Sequence, residues 1–293
     1  MPELPEVETT KRGLERNVLG LTIKEVWTDL STKDKRKKDT VANPKYFRIF
    51  KKEVSNKKIL SVERRAKNIL INLSPPSQKL GGASRQKTIL IHLKMTGYLF
   101  YGKNLKIKFA HVIFSLSNKN YLVFSDMRKF GKITLLDTKV AHDSKHLNNI
   151  GPEPLDKKFT LEKFKEQLRK KLNSKIKTVL MDQSIIAGIG NIYSDEILWR
   201  AGVHPERMVK KIKEKELKLI LKAIKETLTK GIKFGGDSMS DYKNIYGLPG
   251  KFQLHHEAYR RTGKKCRKRG CKGIIRRKII NGRSAHFCSV HQK

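Results

Sequence analysis

The sequence predicts an α+β protein with several domains, because three kinds of pattern follow one another along its 293 residues. Short apolar or alternating runs separated by turn residues fill the first half, which is typical of antiparallel strands in a β-sandwich. Apolar residues at helical spacing dominate from about residue 161, and every cysteine lies within residues 266–293. We therefore expect an N-terminal β-sandwich with flanking helices, a C-terminal helical domain and a small cysteine-bearing hairpin.

The first half of the chain combines one helix with a series of strands. From Pro5 to about Val18, apolar residues fall near one helical face, and proline stands in the first turn, where its missing N–H costs nothing. Runs such as TIKEVW, NILINL, TILIHL and YLVFS then alternate or are wholly apolar, which indicates a mainly antiparallel sandwich. The segment Pro75–Lys87 contains paired prolines and paired glycines and predicts a flexible loop between two strands.

The domain boundaries follow from changes in these patterns. Strand-like runs end near Asp137, a connection containing GPEPL follows, and helical periodicity begins at Leu161. A polar segment flanked by glycines, Gly235–Gly250, is long enough to move. The predicted organisation is a β-sandwich domain at residues 1–137, a linker at 138–160, a helical domain that includes this loop at 161–262, and a hairpin at 263–293.

The charge balance predicts a polyanionic partner. The chain has 66 Lys and Arg residues against 27 Asp and Glu residues, and its net charge of +39 is spread along the sequence. Nucleic acid is favoured over an anionic membrane surface, although a lysine-rich solvated surface would give the same composition. We expect a soluble, cytoplasmic protein, because no apolar run approaches about 18 residues and the acidic N-terminus is unlike a signal peptide.

The cysteine-bearing tail predicts a metal site. Its spacing is Cys266-x4-Cys271-x16-Cys288-x2-His291, which is two close pairs separated by the length of a hairpin. This arrangement suits tetrahedral zinc, which closes a unit too small to bury a core of its own. Four protein ligands leave no position for a substrate, so we expect one structural zinc ion. Free thiols in a basic tail are the alternative.

Three turns carry residues that suit nucleic acid. SDMRKFG places Arg128, Lys129 and Phe130 at a turn, where a cation beside an exposed aromatic ring could enter a base stack. The alternative is a β-turn with Phe130 in the core, and Met95 of HLKMTG could likewise be a wedge or a core residue. AGIGNIY places Asn191 at a helix start, where amides and the side chain could hold a phosphate, although a glycine turn between packed helices is the commoner explanation.

Seven motifs occur along the chain in one order: MPELPEVETT, RRAKNIL, HLKMTG, SDMRKFG, GPEPL, AGIGNIY and NGRSAHFC in the cysteine hairpin. Together they resemble the formamidopyrimidine-DNA glycosylases over essentially the whole chain. The resemblance implies a β-sandwich, a helix–two-turn–helix and a zinc hairpin. It also implies a monomeric enzyme that excises oxidised purines such as 8-oxoguanine from damaged double-stranded DNA and then nicks the abasic strand.

The resemblance assigns catalytic roles to residues at the N-terminus and elsewhere. Removal of Met1 would expose Pro2 as a secondary amine, which in the family attacks the sugar C1′ and forms a Schiff base. Glu3 would move protons during ring opening, and Glu6 would support the site or stabilise the helix dipole. Lys67 matches the lysine that protonates the leaving base or drives β-elimination. Arg283 matches the hairpin arginine that binds phosphates around the lesion and assists δ-elimination.

DNA-binding roles transfer in the same way. His92, Lys177 and Asn191 match positions that contact phosphates, whereas Met95, Arg128 and Phe130 match the residues that fill the gap left by the flipped nucleotide. Lys129 replaces a frequent arginine and loses its bidentate fork, which predicts a weaker phosphate clamp. The sequence also departs from the family pattern in the four-residue spacing of its first cysteine pair and in His291, which stands in place of a cysteine.

Two other functions remain open at this stage. The related endonuclease VIII type acts on oxidised pyrimidines, but PELPE and the long Gly235–Gly250 loop favour the purine-directed enzyme. A non-catalytic zinc module that binds DNA would differ in chemistry altogether. The presence of Pro2, Glu3 and Lys67 together argues against it, and strand nicking would separate the two.

Overall fold

A computed structural model describes residues 1–75, 86–239 and 242–293, so most of the predicted loop Pro75–Lys87 lies outside the described residues. The described residues form two compact units. The sheet unit contains residues 1–2, 6–148 and 235–250, and the helical unit contains residues 3–5, 149–234 and 251–293. None of the described helices is both long and apolar enough to cross a membrane.

The elements of the sheet unit are α1 (Leu4–Val18), β1 (Thr22–Thr28), α2 (Pro44–Val54), β2 (Lys57–Arg65), β3 (Asn68–Leu73), β4 (Lys87–His92), β5 (Tyr98–Gly102), β6 (Ala110–Leu116), β7 (Tyr121–Ser125) and β8 (Lys132–Asp137). Its strands are antiparallel and pair in the order β5-β7-β6-β1-β2-β3-β4-β8. The pairs that join β1 to β2 are Thr22 with Lys58 and Ile23 with Lys57, at one end of both strands.

The two halves of this sheet share one hydrophobic core. Val26 and Phe114 come from one half and Ile71 and Ile89 from the other, and all four side chains are buried in a cluster that includes Val7 of α1. Strand β6 buries nearly every second residue, whereas β3, β4 and β7 are buried along most of their length, which matches the alternating and the wholly apolar runs in the sequence. The predicted β-sandwich with flanking helices is confirmed.

The segment 235–250 packs within the sheet unit. Ile245 fits against α1 because Gly13 has no side chain, and a Cβ there would lie 2.9 Å from Ile245 Cγ1. The Tyr101 amide donates to the Ile245 carbonyl at 2.7 Å, and the Tyr242 hydroxyl donates to the Glu6 carbonyl at 3.0 Å. The sequence-based assignment placed this loop with the helices, whereas its anchoring contacts lie in α1 and β5. The predicted domain boundaries otherwise stay predictions.

The helical unit contains α3 (Leu161–Arg169), α4 (Ile176–Met181), α5 (Asn191–Ala201), α6 (Glu214–Lys233), β9 (Ile275–Ile280) and β10 (Arg283–Cys288). Its core buries Tyr193 and Ile197 of α5 against Ile224 and Leu228 of α6. Tyr193 fits because a Cβ at Gly231 would lie 2.6 Å from its ring. Helix α4, the turns at residues 182–190 and α5 form the expected helix–two-turn–helix.

The C-terminal hairpin turns at Asn281 and Gly282, whose φ angles are 46° and 73°. Two consecutive left-handed residues are typical of the two-residue turn that matches the twist of paired strands, and Asn-Gly is its preferred sequence. The register pairs Arg283 with Ile280. The turn therefore presents Arg283 at the exposed tip of the hairpin.

Candidate functional site

The Glu3 carboxylate caps the start of α5. Gly190 precedes this helix and offers no side-chain cap, so Glu3 Oε2 accepts from the Gly190 amide at 2.6 Å and Oε1 accepts from the Ile192 amide at 2.9 Å. A Cβ at residue 190 would lie 2.4 Å from Glu3 Cδ, which requires glycine. The hypothesis that these amides hold a phosphate is therefore wrong, because a carboxylate of the same chain occupies them.

The residues on either side of Glu3 are also fixed. Pro2 is buried and Met1 is 41% exposed, so Met1 is the accessible end of the chain. Glu6 is 1% exposed, and its Oε1 accepts from the Asp237 amide at 2.7 Å. Glu6 thus holds the loop 235–250 against α1. This contact is compatible with the supporting role predicted for Glu6.

Lys67 and His92 lie close together in the sheet unit. Lys67 is 5% exposed in the turn between β2 and β3, and His92 ends β4 opposite Asn68 of β3. Burial first, and then the charges of Lys94, Lys67 and Lys132, lower the pKa of His92 to about 3. Its Nδ1 accepts from the Lys94 amide at 3.0 Å. The neutral ring therefore carries its hydrogen on Nε2, which is a donor suited to a phosphate oxygen.

The turn at residues 125–131, which we name the Arg–Phe turn, is organised by Asp126. This carboxylate is fully buried and accepts from the Gly131 amide at 2.7 Å and from the Thr96 hydroxyl. Thr96 in turn accepts from the Arg128 amide at 3.2 Å. Asp126 thus joins the Arg–Phe turn to the HLKMTG segment, and an unpaired buried carboxylate would be costly without these bonds.

The Arg–Phe turn exposes the side chains that the sequence singled out. The Phe130 ring is 45% exposed, with the Arg128 guanidinium 4.5 Å from its centroid, and Met95 is 36% exposed. The alternative in which Phe130 fills the core is wrong, because the ring is exposed and is not part of the buried cluster of the sheet unit. Lys129 is exposed at a φ of 53°, and its carbonyl accepts from Lys37 Nζ at 2.9 Å.

Lys177 does not offer a free cation. It is 1% exposed, and its ammonium donates to Asp195 Oδ1 at 2.5 Å, to Ser194 Oγ at 3.1 Å and to the Asn191 carbonyl at 3.4 Å. All three ammonium hydrogens have protein acceptors, so the structure differs from the prediction that Lys177 contacts a phosphate. Asn191 Oδ1 is buried and has no hydrogen-bond partner among the described residues.

Helix α5 also holds the hairpin that carries Arg283. Asp195 Oδ2 accepts from the His286 amide at 2.9 Å and lies 2.8 Å from its Nδ1. Glu196 accepts from the backbone amides of Glu257, Ala258 and Tyr259 at 2.8 to 2.9 Å, and burial raises the pKa of this carboxyl. Two neighbouring carboxylates of one helix therefore fix β10 and the segment before the hairpin.

The four predicted metal ligands converge. One ligand atom from each of Cys266, Cys271, Cys288 and His291 lies within 4.8 Å of the other three. The sulfurs of Cys271 and Cys288 are 3.7 Å apart, close to the roughly 3.8 Å edge of a tetrahedron with zinc–sulfur bonds of about 2.3 Å. His291 Nε2 lies 3.0 Å from the Trp199 carbonyl, which leaves Nδ1, 3.4 Å from Cys266 Sγ, to bind the ion. The donor set fits zinc.

Comparison with known proteins agrees with this geometry. A model described as the formamidopyrimidine-DNA glycosylase N-terminal domain matches residues 1–133, and one described as the formamidopyrimidine-DNA glycosylase H2TH domain matches residues 150–243. The formamidopyrimidine-DNA glycosylase of Pelotomaculum thermopropionicum is 39% identical over 100% of this chain and 99% of its own. That of Prochlorococcus marinus strain MIT 9301 is 38% identical over the full length of both chains. The chain belongs to the formamidopyrimidine-DNA glycosylase (Fpg) family.

Solved structures extend the similarity to three dimensions. Lactococcus lactis Fpg in complex with DNA containing an abasic site has a TM-score of 0.85 at 32% identity, with 99% of both chains covered. A mutant of the same enzyme in complex with DNA containing Fapy-dG has a TM-score of 0.85 at 32% identity over 100% of both chains. Membership of the Fpg family confirms the resemblance and the fold class, whereas the roles of individual site residues stay predictions.

Within this Fpg-family fold, the sequence did not reveal the residues that position the site. Asp126, Asp195 and Glu196 each accept several hydrogen bonds from residues far away or across a turn. One sequence signal could have identified Asp126: it is the first residue of a turn, where an aspartate side chain can accept hydrogen bonds from the backbone amides that follow. Asp195 and Glu196 lie on a helix whose other faces are also buried, so no polar face marked them.

The exposure of Phe130 leads to a mutational prediction. Phe130→Ala is expected to reduce lesion excision by about 10- to 100-fold, because flipping a nucleotide costs a few kcal/mol that the ring would offset. Binding to undamaged duplex should change little, since phosphate contacts dominate it. Single-turnover excision and duplex titration measure the two effects. Trp27→Ala, which removes a ring that is 50% exposed on β1, is the control. Unfolding of Phe130→Ala would show that the ring is structural.

Proposed function

We propose that this Fpg-family DNA glycosylase removes oxidised purines, including 8-oxoguanine and formamidopyrimidines, from duplex DNA and then cleaves the abasic strand. The family places the chain in base-excision repair. The observation that carries the finer proposal is the Glu3 carboxylate, which follows Pro2 directly and is held by the amides of Gly190 and Ile192. A carboxylate held in place beside an N-terminal amine is what proton transfer during Schiff-base chemistry requires.

The proposed chemistry begins at Pro2. Removal of Met1 leaves a secondary amine whose pKa of about 8 keeps much of it neutral at cellular pH. Its lone pair attacks C1′, the bond from C1′ to the base breaks, and the base leaves with the bonding electrons and takes up a proton. The amine then loses its proton, the bond from C1′ to the ring oxygen breaks, and Glu3 delivers a proton to that oxygen. The product is an iminium between Pro2 and C1′.

Strand cleavage follows from the iminium. Its positive charge acidifies the proton on C2′, and loss of that proton expels the phosphate from C3′ in β-elimination. Loss of a second proton from the sugar expels the phosphate from C5′ in δ-elimination, and water then hydrolyses the iminium to free Pro2. We assign Lys67 to protonation of the leaving base or to β-elimination, and Arg283 to phosphate binding and δ-elimination.

DNA binding rests on a second group of residues. We assign phosphate contacts to His92, whose Nε2 hydrogen is not taken up by the contacts described above, and to Asn191, whose side-chain NH2 group is the donor that a phosphate oxygen requires. Met95 and Phe130 would fill the gap left by the flipped nucleotide, and Arg128 would face the orphaned base. Lys129 would contribute charge to the same surface. One chain supplies all of these groups, so we propose that it acts as a monomer. We also propose a cytoplasm of bacterial type, because the relatives that it matches come from bacteria.

Zinc is the metal that we propose for the C-terminal cluster. Bound zinc would close the hairpin through Cys266, Cys271, Cys288 and His291 and would take no part in the reaction. The surroundings support a tight fit, because a Cβ at Gly273 would lie 2.5 Å from Cys288 Sγ. The Trp199 indole N–H donates to Cys266 Sγ at 3.3 Å, which orients that sulfur.

The loop 235–250 tests the substrate class. We propose that it covers the extruded purine, so deleting residues 239–241 while keeping the anchors Asp237 and Tyr242 should reduce 8-oxoguanine excision by about tenfold or more. Formamidopyrimidine excision and abasic-site cleavage should fall less. Rates on duplexes with 8-oxoguanine, formamidopyrimidine, an abasic site and thymine glycol measure this. Equal losses would assign the loop to the fold alone, and a preference of the unmodified enzyme for thymine glycol would favour the endonuclease VIII type.

A further inference from the structure

Two adjoining cavities in the sheet unit form a basic groove beside the Arg–Phe turn. One, of about 490 Å³, is lined by Asp34, Arg36, Lys37, Lys94, Phe130 and Lys132. The second, of about 210 Å³, is lined in part by His92, Lys94, Lys132, Lys145 and His146. Lys94 and Lys132 line both cavities, and Lys132 lies directly opposite His92 in the pairing of β8 with β4. These two lysines therefore lie at the centre of the groove.

The charge in the basic groove is not neutralised from within. Its carboxylate Asp34 pairs with Arg36 at 2.9 Å, and the neighbouring Asp39 pairs with Lys145 at 2.5 Å. In the described part of the chain, neither Lys94 nor Lys132 forms an ion pair. Burial, and then the charge of Lys132, lower the pKa of Lys94. Two like charges brought together cost folding free energy, which an anion between them would offset.

The backbone at Lys94 is also strained. Its φ angle is 56°, a left-handed conformation that glycine adopts freely and that a long side chain adopts at a cost. Glycine would satisfy the turn without a charge. A similar angle at Lys119 in an exposed turn shows that strain alone does not mark a binding site, but at Lys94 the strained residue lines both cavities of the groove. Lys94 thus combines strained backbone, partial burial and an unpaired charge.

We infer that the basic groove binds a phosphodiester of duplex DNA beside the Arg–Phe turn, with Lys94 and Lys132 as its cationic contacts. The inference rests on the proposed function, because Phe130 lines the groove and is also the ring that we propose to enter the base stack. A phosphate flanking that step of the duplex would lie against the same surface. Lysines supply point charges without directional base recognition, so the contact adds affinity for any sequence.

Salt dependence tests the inference. Lys94→Gly should lower the affinity for undamaged duplex by about tenfold at low salt and reduce the slope of log K against log salt by about 1. Adding Lys132→Gln should reduce the slope by about 2 in total. The matched control is Lys119→Gly, because Lys119 is an exposed lysine with a φ of 64° in the turn between β6 and β7. It should leave the slope unchanged.

Thermal unfolding shows whether a loss of duplex affinity comes from misfolding of the variant. Both glycine variants remove strain, so each should keep its Tm or raise it by roughly 2 °C. If the Lys94→Gly variant keeps the wild-type slope of log K against log salt, the inference is overturned. The proposed function still stands in that case, provided that the wild-type enzyme nicks DNA. A wild-type enzyme that neither binds nor nicks would instead overturn the proposed function. Inorganic phosphate is the test for a free anion. If phosphate raises the Tm of wild type but not that of Lys94→Gly, and the mutation does not change duplex binding, the groove binds a free anion and the inference is contradicted.

Discussion

A chain that retains Met1 is expected to form no covalent adduct with lesion-bearing DNA under borohydride, whereas the processed chain forms one. Met1 converts the Pro2 nitrogen into an amide, whose lone pair is delocalised and does not attack C1′. The expected loss is complete within detection, because no partial nucleophile remains. Denaturing gels measure the adduct, and peptide mapping should place it at the N-terminus. Both chains should bind undamaged duplex equally well.

Two outcomes would contradict the assignment of Pro2 as the nucleophile. Efficient trapping by a chain that mass spectrometry shows to retain Met1 would assign the nucleophile to an internal lysine. Binding without trapping by the processed chain would favour a non-catalytic DNA-binding module. Glu3→Gln is a less clean test than the sequence indicates, because the Glu3 carboxylate accepts from the amides of Gly190 and Ile192. An amide side chain would turn a donor toward one of them, so loss of activity would mix lost proton transfer with a disturbed start of α5.

Local patterns were sufficient to predict much of the fold. Alternating or wholly apolar runs identified the strands of the sandwich, because strands bury one face or both. The spacing of Cys266, Cys271, Cys288 and His291 identified a cluster whose ligand atoms lie within 4.8 Å of one another. The Arg–Phe turn was identified as a turn, although its sequence left open whether Phe130 was exposed. Periodicity cannot separate an exposed ring from a buried one at a turn, where no face repeats.

Long-range contacts account for what the sequence could not show. The amides at the start of α5 looked available for a phosphate, but Glu3 lies 187 residues from Gly190 in sequence and bonds to it directly. The resemblance placed Lys177 at a phosphate contact, but Asp195 and His286 make it part of a buried network. A charged residue in sequence carries no mark of its partner, so its burial and its ion pair depend on the tertiary fold.

We expect the hairpin that carries Arg283 to depend on the zinc ion proposed for its Cys/His cluster. Its buried cluster is small and consists of Trp199, Ala258, Cys266, Ile275 and Cys288, of which two are proposed ligands. So small a core cannot offset the conformational entropy of ordering the hairpin, whereas structural zinc sites supply about 10 to 16 kcal/mol of binding free energy. The carboxylates of Asp195 and Glu196 hold the folded hairpin in place but do not replace that free energy.

Removal of zinc is therefore expected to abolish duplex binding and nicking. Each purified chain should contain about one zinc ion, and a chelator should lower duplex affinity by at least about 100-fold as the hairpin unfolds, with recovery when zinc is returned. Cys288→Ser should behave like the chelated enzyme. The control is Val290→Ala, which changes a half-exposed side chain between Cys288 and His291 without removing a ligand. Metal analysis, duplex titration and proteolysis of the hairpin measure these effects. A metal-free chain that binds and nicks DNA as well as the zinc-loaded one would show that Asp195 and Glu196 suffice to hold the hairpin, and that the cysteines have another role.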